Sequence, residues 1–165
     1  HSSTAALPTS SHATTPVASS VTTSPSTTTT SDLGQRFPNT EAGAEAFAKE
    51  YLTVLNSVHD TGVVGTLAAY STSECSRCDG WLKYFQEVQS KNQHGRGTFI
   101  VVREITTALS RPGTATATAL ITVPEARIVD RTGKTVFLRK AEGNLTATFF
   151  LRYDMQWRVV GSKVE

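Results

Sequence analysis

The chain has 165 residues, with 16 Lys or Arg against 14 Asp or Glu, a net charge of +2, and two cysteines. That length holds one domain of ordinary size with a real core. The basic residues stand singly apart from Arg139-Lys140, which argues against nucleic-acid binding, and no window reaches the ~18 apolar residues of a membrane span.

Eighteen of the first thirty residues are Ser or Thr, three are Pro (Pro8, Pro16, Pro25), and none is charged by Asp, Glu, Lys or Arg. Such a run cannot bury enough apolar surface to offset the entropy of ordering its backbone. Residues 1–36 are therefore expected to be a disordered tether and residues 37–165 a single domain. Ser/Thr/Pro spacers of this kind are common on secreted or surface-anchored proteins, with or without O-linked sugars. The tether thus points to an extracytoplasmic location, in the cell envelope or secreted, and the His1 start to a processed product.

Phe37-Pro38-Asn39-Thr40-Glu41 is a helix-start signal, with Asn39 or Thr40 as cap and Glu41 near the positive end of the dipole. Apolar residues then recur at Ala44, Phe47, Ala48, Tyr51, Leu52, Leu55 and Val58, one stripe of a long helix that ends at Thr61-Gly62. A short second helix is expected over 63–70, with Leu67 and Tyr70 inward. A third is expected over about 78–92, carrying Trp81, Leu82, Tyr84, Phe85 and Val88. Residues 92–97 read as a polar loop.

Beyond Gly97 the period changes from 3.6 to 2. Residues 98–106 read as a strand by their β-branched content. Thr114, Thr116 and Thr118 alternate with Ala115, Ala117 and Ala119, giving one solvated face and one small apolar face. Residues 127–138 read as a hairpin with Gly133 at the turn, and strands over 145–152 and 157–163 close the chain. The expected fold class is α+β, three N-terminal helices packed on a curved antiparallel sheet of about five strands.

Cys75 and Cys78 admit three readings. A zinc site needs about four N or S ligands and lacks a second Cys-x-x-Cys. A redox-active pair belongs in a βαβ context that this chain does not have. A structural disulfide closed in an oxidising compartment fits best. No metal or cofactor is expected.

The helix bearing Ala46-Phe47, Tyr51 and Leu55-Asn56, then Thr61-Gly62, Leu67, Ser71, Cys75 and Cys78, resembles a family of actinobacterial exported proteins and lipoproteins of unknown function. The closing stretch from Phe150 to Val160 resembles the last hairpin of the nuclear transport factor 2-like cone folds. The resemblance covers about 40–164. It implies a cone fold and an exported origin, with membrane attachment only through an N-terminal lipid anchor outside this chain, and it implies no reaction. Relatives often carry an Asp after Thr-Gly, where this chain has Val63.

Enzymes of the cone fold place carboxylates, Tyr or His in the cone mouth. Tyr51, Tyr70, Trp81, Tyr84 and His59 are the candidate pocket lining here. The tyrosines and Trp81 fit core packing on apolar stripes, and His59-Asp60 fits a solvated helix end. No Ser-His-Asp order, glycine-rich phosphate loop or paired carboxylates occur. The expected function is a non-catalytic binding or interaction module for a small apolar ligand or an envelope protein. The alternative is a cone-fold enzyme, isomerase- or hydrolase-like, acting on a small apolar molecule.

Overall fold

The computed structural model describes residues 35–165; of the tether expected over 1–36, residues 1–34 lie outside the described residues. Helix α1 (Glu41–Thr61) starts where Thr40 accepts from the Gly43 N–H at 3.0 Å and stops at Gly62, whose left-handed φ of 72° suits glycine. Its stripe of Ala44, Phe47, Tyr51, Leu52, Leu55 and Val58 is buried, as its spacing requires. Helix α2 (Gly65–Ala68) is shorter than expected and inserts Leu67. Helix α3 (Ser76–Ser90) begins at the cysteine pair, with Cys75 as its cap residue, and buries Phe85 and Val88. Residues 35 and 36 are also helical, one more helical segment than the sequence patterning identified.

Seven strands follow where about five were expected, and they form two antiparallel sheets. They are β1 (His94–Arg96), β2 (Val101–Arg111), β3 (Thr114–Val123), β4 (Ala126–Val129), β5 (Thr135–Arg139), β6 (Glu142–Asp154) and β7 (Gln156–Val164). The larger sheet has the order β2-β3-β6-β7 and the smaller β1-β4-β5. The additional short strand, β1, lies within the predicted polar loop. It pairs His94, Gly95 and Arg96 with Val129, Ile128 and Arg127, so the partner strand rather than local composition makes it extended.

The alanine face of β3 is buried and its threonine face half-exposed, as the alternation predicts. Ala117 and Ala119 pair with Phe149 and Ala147 on β6, and that face meets α1 across the core. Register shifts in the β2–β3, β3–β6 and β6–β7 pairings bend the large sheet around the helices. Between α2 and α3, Ser71 makes a parallel bridge to Val159 on β7, through Thr72 N–H to Val159 O at 3.0 Å and Val159 N–H to Tyr70 O at 2.9 Å. Among the described residues no helix is long and apolar enough to cross a membrane.

Candidate functional site: a cavity between the helices and the sheet

The helices do not fill the concave face of the sheet. A cavity of about 250 Å³ remains between α1, α3 and the strands. Tyr51, Leu52 and Leu55 of α1 form one wall, and Trp81 of α3 flanks them. Inward residues of the large sheet close the other side, with Ile121 and Val123 from β3, Ala147 and Phe149 from β6, and Val164 from β7. Alternation puts these strand residues on one face, and the small alanines leave the space. Phe99 and Ile100, just before β2, complete the apolar lining.

Asn56 places Phe99 and Ile100. Its Oδ1 accepts from their backbone N–H groups at 3.0 and 2.8 Å, and its Nδ2 donates to Ile100 O at 2.9 Å. Phe99 is then surrounded by rings. Trp81 meets it edge-on at 5.2 Å between centroids, Phe85 at 5.5 Å, and His59 stacks on it at 5.0 Å.

Polar groups enter the cavity at few points: Ser162, the Tyr51 side chain, two arginines and one carboxylate. Arg77 and Glu142 are exposed, and Arg139 is half-buried, so they mark the side open to solvent. The Arg139 guanidinium lies 4.4 Å above the Phe99 ring centroid, and its Nη2 donates to Phe99 O at 2.7 Å and Pro124 O at 3.3 Å. Its Nε is buried without a hydrogen-bond partner. Burial of Tyr51 holds its hydroxyl far above the ordinary phenol range, so it stays neutral.

Cys75 and Cys78 form a disulfide with a Cα–Cα separation of 5.2 Å. Cys75 Sγ also accepts from the Cys78 N–H at 3.2 Å, capping α3, and lies 3.9 Å from Ser162 Oγ in the cavity wall. Arg77 sits between the two cysteines and Trp81 one turn beyond, so the disulfide fixes two of the lining residues. Both sulfur-bearing residues are buried. Among the described residues no group of three or more His, Cys, Asp or Glu converges as a metal site requires.

Of the five residues expected to line a pocket, Tyr51 and Trp81 do so. The other three are placed elsewhere. Tyr70 is fully buried in the core, stacked on Phe47 at 5.6 Å. Tyr84 faces outward hollows bounded by Ile128 and Phe137. His59 is 3% exposed rather than a solvated helix end, because β1 and Phe99 close over it. Its Nδ1 lies 3.2 Å from Asp60 Oδ1, and burial holds its pKa below the ordinary imidazole value.

Sequence reasoning missed Arg139, Arg77 and Glu142. Arg139 directly follows the hairpin read over 127–138, and only the turn of the chain back over Phe99 brings it to the cavity. The lining strand residues were legible as an inward face, but nothing in their pattern says that the face is left uncovered.

No protein-family model matches the chain, and no curated protein matches it. Solved structures do. The intermembrane-space region of the chloroplast protein ARC6 matches with a TM-score of 0.55 and 10% identity, over 76% of this chain and 95% of that one. This likeness places the two in one fold. A candidate aromatic ring hydroxylase from Novosphingobium aromaticivorans matches with a TM-score of 0.49 and 14% identity, over 75% of this chain and 89% of that one. A domain of unknown function with a cystatin-like fold from Nostoc punctiforme matches with a TM-score of 0.38 and 13% identity, over 75% of each chain.

Proposed function

We propose that this domain is an exported, non-catalytic binding module whose cavity takes a small apolar molecule. The observation that carries the reading is the cavity itself, about 250 Å³ of space walled by Leu52, Leu55, Trp81, Phe99, Ile121 and Phe149. Taking about 30 Å³ as the volume of a water, the space suits a ligand on the order of ten non-hydrogen atoms. Concave apolar sites with a few placed polar groups are the usual form of small-molecule sites.

The groups that could move a proton argue for binding over turnover. Tyr51 is held neutral by burial, Glu142 is exposed, and His59 lies behind Phe99 outside the cavity. General acid–base work needs a group poised near the working pH within reach of the reacting atom. The closed Cys75–Cys78 disulfide and the Ser/Thr/Pro segment support export into an oxidising compartment.

The test is a calorimetric titration with 1-octanol, followed in parallel by tryptophan emission. Of the two tryptophans, Trp157 is fully buried and its Nε1 donates to Pro38 O at 2.9 Å, so Trp81 is the reporter. Saturable one-to-one binding is expected. In the calorimetric titration, the readout to which a new indole adds no signal, it should be lost in Leu145→Trp, which fills the cavity from a half-buried position on β6. Unsaturable partitioning that Leu145→Trp leaves intact would refute the reading.

A further inference from the structure

We propose that the molecule taken by the cavity carries an acidic group on its short apolar body, and that Arg139 is the cation that receives it. This rests on the ligand-binding reading above and adds the chemical class of the ligand.

Arg139 has a structural task, since it ties the chain after β3 to the chain before β2. That task uses one nitrogen, because both carbonyl bonds come from Nη2. The rest of the guanidinium is unspent. Its Nη1 makes no hydrogen bond among the described residues, its Nε is enclosed by protein with no acceptor, and no carboxylate lies within ion-pair distance of Arg139 among the described residues. A guanidinium remains charged at any physiological pH, and a charge beside apolar walls calls for a counter-charge or hydrogen bonds. A neutral donor would serve the two carbonyls without that cost.

The second cation on the cavity, Arg77, likewise has no carboxylate partner among the described residues, whereas Arg36 and Arg152 pair with Glu50 and Glu74 at 3.1 and 2.8 Å. One carboxylate, Glu142, lines the same cavity. It stays beyond ion-pair distance, so the cavity carries two positive groups against one negative. The stack on Phe99 and the two carbonyl bonds hold Arg139 in place before any ligand arrives, so little side-chain entropy remains to be lost on binding. The apolar walls take the body of the ligand and Arg139 its acidic head.

The test compares octanoate with 1-octanol, equal in chain length, by calorimetry at pH 7.5 and low salt. A charge-assisted bond predicts octanoate to bind about tenfold tighter or more. The ratio of the two affinities should fall toward one in Arg139→Met. In Glu142→Gln, an exposed change that removes the competing carboxylate, the ratio should rise about twofold, and this variant keeps the test open if Arg139→Met does not fold. Octanol binding with no preference for octanoate in the native protein overturns this inference and leaves the apolar-cavity reading standing. Failure of both ligands overturns both. A preference that persists in Arg139→Met, or a ratio that falls in Glu142→Gln, also overturns the assignment to Arg139.

Discussion

Asn56, in the last third of the long helix, grips Ile100 at both ends of the residue, accepting from its N–H at 2.8 Å and donating to its carbonyl at 2.9 Å, and holds the Phe99 N–H as well. One side chain thus does for the start of β2 what a neighbouring strand would do. Asn56→Ala removes three bonds and leaves half-buried backbone groups without partners, a cost of about 2–4 kcal/mol. Urea denaturation should show the midpoint falling at constant slope. A loss below about 0.5 kcal/mol would mean that water replaces the amide fully.

The disulfide closes a very short loop, for which chain-entropy reasoning gives about 2 kcal/mol. Replacing both Cys75 and Cys78 by Ser should therefore lower the melting temperature and leave the far-ultraviolet circular dichroism unchanged, since Ser at position 75 keeps a cap for α3. Trp81 emission should shift in the same variant, because the turn that positions it is no longer clamped. An unchanged melting temperature, or a chain that does not fold, would contradict this account.

His59 supplies a pH dependence whose sign follows from burial. Its folded pKa is held below the ordinary value of about 6.5, first by desolvation; Asp60 pulls the other way, while Arg139 and His94 add to the lowering. The unfolded chain therefore takes up a proton at a higher pH than the folded one. Stability is full above about 6.5 and declines as the pH falls below that value toward the folded pKa. Urea midpoints from pH 7.5 to 5.5 should decrease, and His59→Gln should flatten that part of the profile. Equal slopes in the two proteins would show that other groups set it.

Gly95 lies against the flat of the His59 ring, where a Cβ would overlap the ring atoms. Gly95→Ala should cost about 1–3 kcal/mol by overpacking. His59→Ala should itself be destabilising, yet the pair should lose less than the sum of the two single changes. Additive losses would place the cost of Gly95→Ala in the backbone of β1 instead.

The α+β order and the main helix were legible because spacing and caps act locally. The stripe from Ala44 to Val58, the Thr40 cap and the Gly62 stop all appear where the pattern puts them. The alternation at 114–123 likewise gave the inward alanines. Strand β1 was not legible, since Asn92-Gln93-His94-Gly95 has turn composition and becomes extended only through Val129 and Ile128. The pocket was half legible for a related reason. Tyr51 and Trp81 were candidates by type although their apolar stripes fitted core packing equally, and Tyr70, which looks the same in sequence, is packed solid on Phe47. Arg139 reaches the cavity through contacts forty residues away in sequence, which no window of sequence can show.

The bridge between Ser71 and Val159 bears on how the chain avoids its own kind. A sheet edge with free backbone groups is a template for adding strands from other molecules. At the β7 edge of the large sheet, the segment from Tyr70 to Thr72 already occupies the middle of that template. At the opposite edge, β2 is interrupted by irregular register at 102–104 and 109–111 and carries Arg103 and Glu104 outward. One margin of the large sheet is taken and the other is bent and charged. Strand addition to it is therefore disfavoured on both sides, so the large sheet offers other copies of the chain no free template.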